Sequence, residues 1–304
     1  MERKAAGLGA LAAVLAAFIV AGCITGPFGN QSGKTTIAAT FYPLYDITEA
    51  LAGDKADVFS IIPQGVEPHD YEPSSGDFVK ISNASAFATM GLGFAQVEQK
   101  LLASANREIK VIEASKGVPL IDEAGNDVAT STQAIDPHIW LSPKNMEKMA
   151  LNMRNGLVSL DQNNEDYYNS NAQSYISKLE MLDANYRSGL AGCNKDVILV
   201  NHQAFGYLAK EYGFRAISIS GLEPDVEPSP GKIAELIGIA RENNIRYILF
   251  EELADPKVAN IIAREAGAAT LELNPVEGTR VPSENYFTLM EKNLATLRIA
   301  MECG

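Results

Sequence analysis

The sequence predicts an α/β protein of two lobes, each built on a mainly parallel four-stranded sheet flanked by helices. Short runs rich in β-branched residues alternate with segments of helical periodicity, which is typical of parallel sheets. One long helical segment, 143–187, interrupts this alternation near the middle of the chain. The chain has 304 residues, of which 46% are hydrophobic. It can therefore bury one large core or two cores of medium size, and two domains are the default expectation.

The first half contains four predicted strands separated by helical segments. The strands are predicted at 35–41, 56–62, 86–90 and 109–113, and the helices at 44–52, 77–84 and 95–105. Residues 118–136 are polar and lack periodicity, so we expect a surface loop there.

Two consecutive helices are predicted over 143–187, because this segment is much longer than the usual helix of about 11–12 residues. Ser142 provides an N-cap, and Pro143 occupies the first helical position, where its missing N–H is harmless. We expect the second helix to be a long rigid connection between the lobes, with a cleft between them.

The second half repeats the alternation without a close internal sequence repeat. Strands are predicted at 197–200, 216–220, 247–250 and 269–273, and helices at 204–212, 230–243, from 255 onward and at 284–301. The predicted domains are a signal peptide (1–22), a flexible tether (23–34), an N-terminal lobe (35–160), a linking helix (161–190) and a C-terminal lobe (191–304).

The N-terminus has the features of a bacterial lipoprotein signal. Arg3 and Lys4 precede an apolar stretch, and Val20-Ala21-Gly22 places small residues before Cys23. We expect Cys23 to carry the lipid that anchors the protein to the outer face of the cell membrane. An uncleaved membrane anchor is the alternative, although the apolar stretch is short for a span of about 17–25 residues.

The net charge limits the kinds of partner that the protein can bind, and the cysteine content predicts a disulfide. The 25 basic residues are outnumbered by 38 acidic ones, for a net charge of −13, and this argues against a nucleic-acid partner. Outside the cytoplasm, Cys193 and Cys303 are expected to form a disulfide. Such a bond would attach the last helix to the strand region that begins near Lys195.

The chain has only three histidines, and each lies in a loop-like setting after a short apolar run. They are His69, His138 and His202. Pro68 and Pro137 precede two of them and restrict their backbones. Three imidazoles at the ends of strands in two lobes can meet only in the cleft, where they would bind Zn²⁺.

The sequence leaves several candidates for the fourth ligand of this predicted zinc site. Glu251 follows a predicted strand, and Glu272 and Asn274 lie on the last strand and its loop. Glu252 and Glu277 are further carboxylates in the same two segments. Water can also complete the tetrahedral shell.

Several motifs together resemble one family, the zinc- and manganese-binding lipoproteins of ABC importers, the cluster A-I solute-binding proteins. The motifs are the lipobox, TFYPLYDITEALAGD, IIPQGVEPHDYEPS, DPHIWLSP, VNHQAFGYLAKEYG, SGLEPDVEPSPGKIAEL and NYFTLMEKNLATLRIAMECG. The resemblance runs in order over about residues 35–304.

The resemblance implies an extracytoplasmic receptor, expected to be monomeric, that holds one divalent ion and delivers it to a membrane permease with an ATPase. It places the metal ligands at His69, His138 and His202. Manganese-type relatives tend to carry a carboxylate at the third position, so His202 favours Zn²⁺ over Mn²⁺. The aspartate that is usually the fourth ligand matches Asn274 here, and residues 118–136 lack the histidine-rich loop of many zinc members.

Three alternatives differ in class from a zinc receptor. A manganese-type receptor would share the fold and the cleft. A metal-binding adhesin would hold its ion as a structural element and unfold without it. A zinc hydrolase would need an open coordination position and a general base, for which Glu67, Asp136 or Glu251 are candidates by proximity alone.

Overall fold

A computed structural model describes residues 34–92, 96–104, 109–128, 135–222, 224 and 226–304. The predicted signal peptide, Cys23 and all of the predicted tether except Lys34 lie outside these residues. Within the described part of the chain, no helix has both the length and the apolar character that crossing a membrane requires.

The first lobe is a four-stranded parallel sheet in the order β2-β1-β3-β4. Its central strand β3 is buried at every position, as expected of a strand covered on both faces. The elements are β1 Thr35–Ala39, α1 Tyr42–Ala52, β2 Ala56–Ser60, α2 Ser75–Asn83, β3 Ala86–Thr89, α3 Gln96–Ser104 and β4 Lys110–Glu113.

The second lobe repeats this topology with the order β6-β5-β7-β8, again all parallel. The predicted fold class is therefore confirmed, and the two sheets share one strand order. The elements are β5 Val197–Val200, α6 Gly206–Tyr212, β6 Arg215–Ser218, α7 Pro230–Glu242, β7 Tyr247–Phe250, α8 Lys257–Ala266, β8 Ala269–Glu272 and α9 Tyr286–Ala300.

Two long helices join the sheets, α4 (Pro143–Leu160) and α5 (Glu165–Gly189), with a 3₁₀ turn between them. The Ser142 hydroxyl accepts the Asn145 backbone N–H, which is the predicted N-cap of α4. Helix α5 lies within the predicted linking segment 161–190 and packs on α1 and α4 as well as on α9. The exact lobe boundaries stay a prediction.

Hydrogen bonds across the lobes fix their relative position. Asp46 on α1 accepts the backbone N–H of Tyr286 at 3.1 Å and the hydroxyl of Tyr175 at 3.2 Å. The Tyr286 hydroxyl donates to the Trp140 carbonyl at 2.8 Å, and the Trp140 indole N–H donates to the Pro275 carbonyl at 2.8 Å. The two bonds of Trp140 are buried, so they would be costly to break and hold the cleft between the lobes.

The segment 118–136 was predicted to be a surface loop, and five of its described residues are exposed. Ile121 and Asp136 are buried, and Tyr207 on α6 satisfies their backbone polar groups. The Tyr207 hydroxyl accepts the Ile121 N–H at 3.1 Å and donates to the Asp136 carbonyl at 2.8 Å. Residues 129–134 of this segment lie outside the described residues.

The predicted disulfide between Cys193 and Cys303 is present and closes a sequence separation of 110 residues. The Lys195 N–H also donates to the Met301 carbonyl at 3.0 Å. The end of α9 is therefore attached to the segment before β5, as the sequence predicted.

Replacing both cysteines by serine should lower the free energy of unfolding by about 2–5 kcal/mol, because the unfolded chain gains the entropy of an open loop. Urea denaturation of the soluble protein at pH 7.5 would measure the loss. Zinc affinity should stay the same, since neither cysteine belongs to the cluster of possible metal ligands. An unchanged denaturation midpoint would contradict the expected role of the bond.

Candidate metal centre

The carboxyl ends of β5 and β7 provide one wall of the site. These strands are neighbours at the point where the strand order of the second sheet reverses, which is where ligands bind in open α/β sheets. His202 follows β5 by two residues, and Glu251 directly follows β7. Both side chains are buried.

The first lobe contributes two histidines from loops. His69 lies between β2 and α2, and its backbone N–H donates to Glu67 Oε1 at 3.2 Å. His138 stands between Pro137 and a 3₁₀ turn at Ile139–Leu141. The loop of His138 is fixed by the interlobe bonds of Trp140 in that turn.

The three histidines meet around one carboxylate, Glu277, in the loop after β8. Its Oε1 atom lies 3.5 Å from His69 Nε2, 3.2 Å from His138 Nε2 and 3.8 Å from His202 Nε2. The Nε2 atoms of His138 and His202 are 3.1 Å apart. All four groups can place one ligand atom each within 4.8 Å of the others.

These separations suit a zinc ion without rearrangement. A tetrahedral site with bonds of about 2.0–2.1 Å has donor atoms about 3.3 Å apart, close to the measured 3.1–3.8 Å. Three imidazole nitrogens and one carboxylate oxygen are a donor set that Zn²⁺ prefers.

Two further carboxylates orient the imidazole rings. His138 Nδ1 lies 2.7 Å from Asp136 Oδ1, and His202 Nδ1 lies 2.6 Å from Glu251 Oε1. A carboxylate can only accept, so each Nδ1 carries the hydrogen and each Nε2 lone pair faces the centre of the cluster. Asn201 holds Glu251 in turn through a 2.9 Å hydrogen bond.

Gly206, at the start of α6, leaves room for Asp136. A Cβ atom at this position would lie 2.6 Å from Asp136 Oδ2, which is too close for any side chain. The absence of a side chain thus allows the carboxylate to reach the His138 ring.

Electrostatics show that the cluster attracts positive charge. Burial alone lowers the pKa of His138, but Asp136 and Glu277 outweigh burial and raise it to about 9. Burial raises the pKa of Glu277, but the imidazoles, His69 first, hold it well below its usual range. In the metal-free chain a proton therefore occupies the place of a cation.

A second group, made of three carboxylates, adjoins the histidines. Glu67, Glu251 and Glu277 can also place one oxygen each within 4.8 Å of one another. Burial and the charge of Glu277 raise the pKa of Glu67 to about 8. Glu67, the half-buried member of this group, is therefore mostly protonated near neutral pH.

The fourth ligand stays a prediction, and the structure shows where each predicted residue lies. Glu251 Oε1 orients the His202 ring, and the Asn274 side-chain oxygen accepts the backbone N–H of Val276 at 2.6 Å. Glu272 is an exposed residue at the end of β8. Glu277, a further carboxylate of the same loop, lies beside the three histidines. The turn-forming sequence Asn274-Pro-Val-Glu-Gly was the available signal, because it isolates one carboxylate in a tight loop.

The arrangement is one of binding and not of catalysis. A catalytic zinc keeps an open position for water, whereas four protein groups here match a filled tetrahedral shell. Of the predicted general bases, Asp136 and Glu251 already hold the histidines.

Fold and site together define a two-lobed solute-binding protein for a divalent cation. A family model described as zinc-uptake complex component A, periplasmic (ZnuA), matches residues 37–300, and the chain belongs to this family. It is a family of transport receptors, so the chain is not an enzyme.

Individual relatives agree with this membership. The chain is 36% identical to the high-affinity zinc uptake system protein ZnuA of Bacillus subtilis (strain 168), over 98% of each chain. It is 37% identical to the zinc-binding lipoprotein AdcA of Streptococcus pneumoniae (strain ATCC BAA-334 / TIGR4), over 95% of this chain and 59% of that protein. The structure of the laminin-binding protein Lmb of Streptococcus agalactiae, a bifunctional protein with adhesin and metal-transporting activity, has a TM-score of 0.80 and 29% identity, and the match covers 88% of this chain and 99% of that one.

Substitution of the clustered groups should separate ligands from neighbours. His202→Ala and Glu277→Gln should each weaken zinc binding at least about 10-fold, because each removes a donor from a buried shell. Glu272→Ala is the matched control and should bind like the native chain. Competition with a chromophoric zinc chelator measures all three. Native affinity in His202→Ala or Glu277→Gln would refute the role of that residue.

Proposed function

We propose that this protein is the extracytoplasmic zinc receptor of an ABC importer. His69, His138, His202 and Glu277 capture one Zn²⁺ between the lobes, and a membrane permease receives the ion. Zinc is thus the cargo of the protein. The observation that carries the proposal is the spacing of the four donor atoms, which already fits a tetrahedral zinc shell.

Zinc is preferred over manganese because of the chemistry of the donors. Three of the four are imidazole nitrogens, which bind Zn²⁺ more tightly than Mn²⁺. Manganese also favours six oxygen-rich ligands, whereas the cluster of three histidines and Glu277 offers three nitrogens and one carboxylate.

The sequence supports the finer parts of the proposal. Cys23 after a short apolar segment would carry a lipid that keeps the receptor at the outer face of the cell membrane, and the segment up to residue 34 would be its tether. AdcA is named as a zinc-binding lipoprotein, which agrees with such an anchor. We expect a monomer, because one chain contains all four donors.

An adhesin role is the second candidate, since the related Lmb is described as both an adhesin and a metal transporter. The two roles differ in what the metal does. A transport receptor must release its ion and stay folded, whereas a structural ion would be needed for the fold.

Removal of zinc by a chelator should leave the receptor folded. One large buried apolar core extends through both lobes, the second lobe has a smaller core as well, and none of the proposed metal ligands belongs to either. Circular dichroism should show unchanged helix content, and thermal denaturation should show a lower Tm that zinc restores. Loss of the folded signal on chelation would favour a structural ion.

Zinc affinity should fall by at least about 100-fold between pH 7.5 and pH 5.5, since zinc must displace the proton bound at His138 and two units of pH change that competition by this factor. The metal-free chain holds this proton at both values, because the pKa of His138 is about 9. Competitive titration, corrected for protonation of the chelator, gives the ratio. Equal affinities would contradict the histidine site.

A further inference from the structure

The residue before Glu277 has an unusual backbone. Val276 has φ = +59°, a left-handed conformation that β-branched residues avoid. Its side chain is fully buried. Such a conformation persists only where the surroundings enforce it, and it is found at functional sites.

Asn274 enforces this conformation. Its side-chain oxygen accepts the Val276 N–H at 2.6 Å, closing a turn over Pro275. Its side-chain N–H₂ group donates to Glu252 Oε2 at 3.2 Å and lies 3.5 Å from the Gly278 carbonyl. Asn274 therefore holds the chain on both sides of Glu277.

Helix α9 and the His138 loop anchor this turn. The Asn274 N–H donates to Asn293 Oδ1 at 2.9 Å, and Asn293 Nδ2 donates to the Asn274 carbonyl at 2.6 Å. The carbonyl of Pro275 accepts the Trp140 indole N–H at 2.8 Å. The turn that presents Glu277 is thus attached to the loop that presents His138.

We propose that Asn274 is a positioning residue that sets zinc affinity through Glu277. Its side-chain oxygen accepts the Val276 N–H, so its role here is to hold the turn. It holds the strained turn so that the carboxylate of Glu277 stays among the three imidazoles. The inference rests on the proposed zinc site, and Asn274 has no effect of its own once Glu277 can no longer bind.

A double-mutant cycle tests the proposal on the folded, soluble protein. Asn274→Ala should weaken zinc binding about 10–100-fold, the usual effect of losing a group that orients a ligand. In the Glu277→Gln background the same change should cost less than about threefold, because the two residues act as a unit. If Asn274 binds the ion itself or acts independently of Glu277, Asn274→Ala should weaken zinc binding by the same factor in both backgrounds. This result would overturn the proposal.

The visible absorption spectrum of the Co²⁺-loaded protein reports the ligands around the metal. A change in the stability of the fold alone does not alter this spectrum. Asn274→Ala should shift this spectrum towards that of Glu277→Gln. Asn285→Ala is the matched control, since it removes the N-cap of α9 and lowers stability without touching the turn. The control should keep the native spectrum and affinity. A native spectrum in Asn274→Ala would contradict the proposal.

The need for a left-handed backbone conformation at Val276 can be tested separately. In the Asn274→Ala background, Val276→Gly and Val276→Ala remove almost the same side chain, but only glycine adopts a positive φ freely. The glycine variant should bind zinc more tightly than the alanine variant. Equal affinities would show that the left-handed turn does not place Glu277. If the native chain binds no zinc, the proposed function is wrong. If the native chain binds zinc and Asn274→Ala binds it equally tightly, only the inference about Asn274 is wrong.

Discussion

The convergence of three imidazole lone pairs on one buried carboxylate is the constraint on which the rest of the structure depends. Asp136 and Glu251 accept the Nδ1 hydrogens, so the Nε2 lone pairs face one another and Glu277. Buried acceptors without a cation between them repel, and this repulsion is relieved by a proton or by a metal ion. The metal-free geometry is therefore already that of a cation site, occupied by a proton until zinc displaces it.

The duplicated sheet topology explains how distant parts of the chain reach this point. Each lobe contributes loops at the carboxyl ends of its parallel strands, and the two edges face each other across the cleft. Trp140 connects the lobes through a buried hydrogen bond, and Asp46 through a partly buried one. Metal-binding groups from both lobes must lie within a few ångströms of one another. The interlobe hydrogen bonds therefore position the site as well as stabilising the fold.

Much of this could be predicted from the sequence. The strands end within two residues of their predicted limits, because hydrophobic runs and turn residues mark them clearly. The histidines could be found because there were only three. Glu277 was one of five residues that the sequence offered as the fourth ligand, but it could not be selected among them, since its position depends on a strained turn held by Asn274 and Asn293. Local sequence does not reveal a backbone conformation that tertiary contacts impose.

X-ray absorption at the zinc edge of the soluble, zinc-loaded protein tests the central claim most directly. The account predicts a four-coordinate ion with about three imidazole nitrogens and one carboxylate oxygen at about 2.0–2.1 Å. Glu277→Gln should change the oxygen contribution and leave the imidazole scattering in place. A shell with one imidazole or none, or one dominated by water, would contradict it.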